Sequence, residues 1–311
     1  MTTPSRPSTP SRPARPAVLA QNQYGKAENR VVRITRDGDT HHIKDLNVSV
    51  ALSGDMEEVH YSGSNANVLP TDTTKNTVYA FAKEHGIESA EQFGIHLARH
   101  FVTSQEPIGQ ARIRIEEYSW QRIGAPDKQH SFAREGQETR VTQITYDGSS
   151  WQVISGLKDL VVLNSTDSEF WGYVKDKYTT LKETHDRILA TEVSARWRFG
   201  WTDDTQPAPD WEESYAQVRR HLLDAFAETY SLSLQQTLYQ MGARIIEHRD
   251  EIDEVRFSLP NKHHFLVDLE PFGLKNDNEV YYAADRPYGL IEATVLRDGH
   301  EALIPVDLTN L

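Results

Sequence analysis

The chain contains no cysteine. Disulfides, thiolate metal centres and thiol nucleophiles are excluded together. No run of eighteen apolar residues occurs either, so nothing in the sequence reads as a membrane-spanning helix. Positive charge is in deficit: 33 Lys and Arg stand against 46 Asp and Glu, a formal charge of −13. That balance disfavours nucleic acid or an anionic membrane surface as partner, though it leaves room for a local basic pocket. Neither a glycine-rich dinucleotide fingerprint nor a phosphate loop is present. The first twenty residues hold no acid; they repeat T-P-S-R-P from Thr3 and Thr9 and carry three arginines. Such a stretch cannot bury a core and has no apolar region of a secretory signal, so residues 1–20 are expected to be a disordered tail. The lack of cysteine is compatible with the cytoplasm, and the final Thr309-Asn310-Leu311 departs from a Ser-Lys-Leu peroxisomal address. A cytoplasmic location is the expectation.

What is present is an ordinary globular composition, 38% hydrophobic and 25% charged, in 311 residues, comfortable for two domains. Arg30 to Arg36 reads as a strand, Asp37-Gly38-Asp39 as a hairpin turn, and His41 to about Leu52 as the return arm. A helix capped at Thr71 or Asp72 should stop near Gly86. A second begins with the capping box Ser89 and Gln92 and buries Phe93, Leu97 and Phe101. Ala111 to Ile123 then alternates as a strand, with a partner around His130 to Arg134. The order repeats: strand Arg140–Tyr146, turn Asp147-Gly148, return strand Trp151–Leu163, an insertion from Phe170 to Trp201 with helices of its own, a helix striped by Trp211, Val218, Leu222 and Phe226, a helix opening at Ser233, and strands Val255–Leu269 and Glu279–Arg297. The expected units are 21–136 and 137–300, the second interrupted around 170–205, with 301–311 as a tail.

Several residues carry chemistry. Val68 to Thr77, V-L-P-T-D-T-T-K-N-T, places a hydroxyl, an acid and an ammonium at a helix N-terminus, where free N–H groups can receive an anion; plain capping is the simpler reading. Arg187 in T-H-D-R-I-L reads as helical, and a structural ion pair is the commonest fate of such a residue. Phe170 beside Trp171 reads first as packing. If Ser233 is an N-cap, Leu234 and Gln235 follow it with unpaired backbone N–H groups. Asn261 and His263 sit two apart on a presumed strand and share a face, while Lys262 and His264 point the other way. His96 and His100, four apart on a helix, could pair on a metal, but no third ligand is evident, so no metal is expected.

Five segments in one order resemble the signatures of urate oxidase: Y-G-K at Tyr24, V-L-P-T-D-T-T-K-N-T at Val68, S-T-D-S-E-F-W-G-Y at Ser165, Y-T-T-L-K-E-T-H-D-R-I-L at Tyr178 and S-L-P-N-K-H at Ser258. The resemblance spans nearly everything after residue 20 and implies an α+β fold of two tandem ββααββ tunnelling-fold units. Their antiparallel sheets would form a barrel with helices outside, assembled as a homotetramer with active sites between subunits. It implies oxidation of urate by O2 and water to 5-hydroxyisourate and H2O2 without a cofactor, in purine degradation. By the same resemblance Lys26 and Thr71 form a proton-transfer dyad, Asp72 belongs to the same site, and His263 relays protons. Arg187 and Gln235 grip the ring edges, Phe170 stacks on it, Leu234 offers its backbone N–H and Asn261 holds the oxygen or water. Leu234 replaces the more usual valine, which a backbone contact tolerates. Two other readings stay open: another purine or pterin enzyme of that fold, and a urate-binding protein without turnover. The first is weakened because the cyclohydrolases and nitrile reductase of that fold need cysteine.

Overall fold

A computed structural model describes residues 17–124 and 128–306. The expected tail falls mostly outside them, as do residues 307–311. The elements run β1 (Tyr24–Asp37), β2 (Thr40–Gly54), α1 (Glu57–Tyr61), α2 (Thr71–Glu84), α3 (Ala90–Ser104), β3 (Ile108–Glu117), β4 (Trp120–Ile123), β5 (Ser131–Arg134), β6 (Thr139–Tyr146), β7 (Trp151–Asn164), β8 (Leu189–Phe199), α4 (Trp211–Glu228), α5 (Leu234–His248), β9 (Ile252–Leu266) and β10 (Tyr281–Leu296). Eight strands make one antiparallel sheet in the order β1-β2-β3-β6-β7-β8-β9-β10, and β4 pairs with β5 in a separate ribbon. Among the described residues the edge strands β1 and β10 do not pair with each other, so the expected barrel is not closed by one chain.

Period-two alternation builds the sheet. On β2, Leu46, Val48, Val50 and Leu52 are buried, while Asn47 and Ser49 turn to the opposite face. The helices cover the apolar face, α3 on β3 and β6, α2 on β1, α5 on β9 and β10. Both halves share one hydrophobic core. The second helix of each pair lies very close to the sheet. A Cβ on Gly94 of α3 would meet Ile144 Cγ1 of β6 at 2.7 Å, and one on Gly242 of α5 would meet Val295 Cγ2 of β10 at 2.5 Å. Both serine N-caps form: Ser89 Oγ accepts from Gln92 N and Ser233 Oγ from Gln236 N, while the Gln236 side chain reaches back to Leu232 N instead of Ser233 N.

Several expectations are corrected. The segment from Phe170 to Trp201 contains no helix; its second part is β8, in the middle of the sheet. There Leu189, Thr191, Val193, Ala195, Trp197 and Phe199 alternate as one buried set, a period of two that outweighs the helix-favouring Lys and Glu just upstream. Arg187 accordingly lies in the loop before β8, not on a helix. The strand expected over Ala111–Ile123 is broken after Glu117, where Tyr118 N turns to Asp45 O. The first strand starts six residues earlier than its alternation suggests, which puts Lys26 inside β1 and not before it. The N-cap of α2 is Pro70, with neither Thr71 nor Asp72 capping. Pro70 supplies the extended backbone, and its carbonyl accepts from Thr74 N.

Candidate active site

The chemistry-bearing residues fall into two groups. The first centres on Lys26, at the start of β1, and on Thr71 and Asp72, the first two residues of α2. Lys26 stands on the rim of a β-bulge, where the register with β2 shifts between Lys26 and Asn29. The buried Asn29 side chain closes that bulge, donating to Lys26 O at 3.2 Å and Val48 O at 2.8 Å. Thr71, half-buried, receives Thr74 Oγ1 on its carbonyl at 2.7 Å, and its own hydroxyl is spent on no cap. Asp72 is exposed and accepts from Lys75 Nζ and Asn76 Nδ2. Its carboxyl is held below the ordinary range chiefly by Lys75, with Lys26 adding to the effect. Lys75, the ammonium of this stretch, is therefore committed to Asp72.

The second group gathers where the loops holding Phe170 and Arg187 meet the start of α5 and strand β9. Backbone bonds tie 167–170 to two other segments: Phe170 and Thr184 exchange N–H and carbonyl, Arg187 N donates to Ser168 O, and Glu169 N and Ser231 N bond to Ser231 O and Asp167 O. Phe170, Arg187 and the start of α5 are thus fixed in one place. The Arg187 guanidinium carbon lies 5.2 Å from the Phe170 ring centroid, and its Nε donates to the buried Ser168 Oγ at 3.1 Å. Among the described residues no acid pairs with Arg187, whose pKa is lowered by burial alone. Leu234, buried, and Gln235, exposed, open α5 after the Ser233 cap, where backbone N–H groups have no intrahelical acceptor. Asn261 and His263 lie on β9, with Asn261 facing Thr191 of β8. Lys262 pairs with Glu192 at 2.7 Å, consistent with its pointing to the opposite face. His263 has its pKa lowered by burial first, then by Arg187 and His264, which places it within electrostatic reach of Arg187.

No bond between the groups is found among the described residues. Six inter-strand steps separate β1 from β9 in the sheet, about 29 Å along it. His96 and His100 lie against Phe81 and His85, with ring centroids 4.8 Å (Phe81–His100) and 5.5 Å (His85–His96) apart. Burial lowers the pKa of both. No group of three or more potential ligands among the described residues could hold a metal ion.

The sequence profile of the family described as Uricase matches residues 22–145 and 153–292, the first stretch holding the Lys26 group and the second the Arg187 group. The chain belongs to the uricase family. It is 52% identical over 289 residues to the uricase of Arthrobacter globiformis, with 93% of each chain covered. It is 37% identical to that of Aspergillus flavus, over 88% of this chain and 95% of the other. The crystal structure of the A. globiformis uricase superposes with a TM-score of 0.88, covering 94% of this chain and 99% of that one. A Bacillus sp. TB-90 urate oxidase, 21% identical, superposes at 0.75 over 89% of this chain and all of the other, which speaks for the fold alone. Uricase membership gives a setting to two positions that sequence reasoning passed over. Ser168 and Tyr24 both lie inside quoted motifs, and only their bonds reveal what they do; those of Tyr24 are taken up below.

Proposed function

We propose that the protein is a urate oxidase: urate, O2 and water give 5-hydroxyisourate and H2O2, with no cofactor, in purine degradation. The observation that carries this is Arg187, a half-buried guanidinium over a phenylalanine ring with no acid partner among the described residues. A planar fork left without a carboxylate suits the edge of a flat purine anion. Phe170 stacks on the ring, Gln235 binds the opposite edge through its amide, and the Leu234 N–H meets the anion at the open helix turn. Asn261 holds oxygen or water above the ring. Lys26 and Thr71 form the proton-accepting dyad: a threonine hydroxyl is a poor base, and a neighbouring amine takes its proton onward. His263, kept neutral at neutral pH by its lowered pKa, returns protons to Thr71. The deprotonated purine itself gives up electrons to oxygen, and the protein supplies orientation and proton transfer.

We infer further that the site is shared between copies of the chain in a homotetramer. One contributes Lys26, Thr71 and Asp72, another Phe170, Arg187, Leu234, Gln235, Asn261 and His263. The separation of about 29 Å along the sheet supports this. So do the two unpaired edges β1 and β10, which are templates for a neighbouring copy and for a barrel closed by two chains. Two tandem tunnelling-fold units fit the strand pattern, β1 β2 α2 α3 β3 β6 and then β7 β8 α4 α5 β9 β10. The glycine contacts of α3 with β6 and of α5 with β10 favour a junction at the β6–β7 turn over one at 136. A cytoplasmic setting remains our reading, in keeping with a chain free of cysteine.

The test is simultaneous oxygen uptake and loss of urate's ultraviolet absorbance by purified, chelator-treated protein. Stoichiometric loss of both, with peroxide formed, supports the oxidase. Urate binding without oxygen uptake would leave a purine-binding protein, and activity that vanished with the chelator would overturn the cofactor-free reading.

A further inference from the structure

Tyr24 is the first residue of β1, paired across the hairpin with Leu52. Its phenol reaches a residue 45 positions away: the hydroxyl donates to Leu69 O at 3.1 Å and accepts from Leu69 N at 2.9 Å. One side-chain group thus satisfies both backbone groups of Leu69, which no strand or helix satisfies, since Pro70 follows it. The offsets matter. Tyr24 stands two residues before Lys26 on the same strand, so the two side chains share a face. Leu69 stands two residues before Thr71, and Pro70 between them fixes one backbone angle. The phenol therefore couples the strand that carries the amine to the loop that carries the hydroxyl, through short and stiff connections on both sides.

The flanks reinforce this. Between Tyr24 and Lys26, Gly25 lies so near β2 that a Cβ there would meet Val50 O at 1.9 Å, a close approach that only glycine permits. Beyond Lys26, the Asn29 amide holds Lys26 O. The Tyr24 ring packs on the core. Burial raises the pKa of its hydroxyl above the ordinary value, so the phenol remains a donor throughout the neutral range.

We propose that Tyr24 is a positioning residue for catalysis, setting the distance between Lys26 and Thr71 by clamping the backbone of Leu69. The inference rests on the reading of Lys26 and Thr71 as a proton-transfer dyad. It says nothing of substrate affinity, which belongs to the other group of residues.

The experiment compares Tyr24→Phe, Thr71→Ala and the double variant for kcat, and for urate affinity measured without oxygen. Tyr24→Phe should lower kcat about tenfold, because small misplacements of reacting groups are costly, with urate affinity changed by less than about twofold. Added to Thr71→Ala, it should cost nothing more, since the residue it positions is gone. An unchanged kcat, an equal loss of kcat and affinity, or a loss that simply adds to that of Thr71→Ala would overturn the proposal. Turnover unaffected by Thr71→Ala would sink the dyad reading itself; Thr71→Ala inactive with Tyr24→Phe normal would sink only the clamp. Should Tyr24→Phe not fold, a fluorinated tyrosine at position 24, whose phenol ionises near neutral pH, keeps the size of the ring. Its kcat relative to the native enzyme's should fall as the phenol loses its proton, and matching pH profiles would overturn the proposal.

Discussion

The Lys26 group and the proposed anion-binding pair of Phe170 and Arg187 are built on opposite principles. Lys26, Thr71 and Asp72 sit on regular elements, a strand rim and the first turn of a helix, and the acid among them is balanced locally: Asp72 has Lys75 and Asn76. Phe170 and Arg187 sit on loops that backbone bonds join to one another and to the entry of α5, and Arg187 has no acid against it among the described residues. The difference matches the tasks proposed for them. Proton transfer needs a fixed distance, which regular elements supply. Anion binding needs an uncompensated cation, and an arginine already paired would gain little from a ligand. What meets the Arg187 guanidinium is a hydroxyl and an aromatic ring, neither of which cancels its charge.

The largest effect should come from separating the groups into different chains. Lys26→Met and Arg187→Gln should each abolish most turnover alone. Co-assembled from equal amounts, they should regain activity in about a quarter of sites, those that draw each group from an intact chain of a symmetric oligomer. Mixtures that stay inactive, with mixed assembly verified, would place both groups in one chain's site. A smaller effect distinguishes the two groups by parameter. Arg187→Gln, measured by urate binding without oxygen, should weaken affinity by about 10- to 100-fold, the scale of a hydrogen bond to a charged group. It should also raise the pKa of His263, read by NMR, because one of the causes lowering it is removed, though burial keeps it below the ordinary value. In the native protein the folded state holds fewer protons at His263 than the unfolded state. Its contribution to stability is therefore complete above about pH 6.5 and is lost as the pH falls toward and through the lower folded value. An unmoved His263 would mean that Arg187 and His263 do not face one another.

Much of this was legible in the chain alone, and the failures have physical causes. Both serine N-caps were readable because a serine placed just before an apolar helical stripe has one local use. The hairpins followed from Asp-Gly turns between alternating runs. Arg187 was misplaced because K-E-T-H-D-R is rich in helix formers. The backbone groups of that stretch go instead to Phe170 and Ser168, partners that no local pattern announces. The start of α2 slipped by one residue because Thr and Asp compete with proline for the cap, and only the backbone of Pro70 decides between them. The sharing of the site between copies was beyond any periodicity. The resemblance implies it, and sheet order, a property of pairings between strands far apart in sequence, supports it. Tyr24 and Ser168 were passed over because a single hydroxyl carries no signal until its partner is known.

The smallest effect bears on why the loop-built group stays ordered at all. Ser168 is buried, as are Ser231 and Thr237 beside it, and Thr237 Oγ1 donates to Ser231 Oγ at 2.8 Å. Ser168 contributes its backbone to the junction with Ser231 and its hydroxyl to Arg187 Nε, so the two roles can be divided. Ser168→Ala keeps the backbone and removes only the acceptor. The guanidinium would then turn about its last bonds, and about 1 kcal/mol, the usual net worth of one such bond, corresponds to about a fivefold weaker grip on urate at an unchanged kcat. If affinity held and kcat fell instead, the alignment of Arg187 would matter to the chemical step more than to binding. The division between a proton-transferring group on regular elements and a binding group on loops would then have to be redrawn.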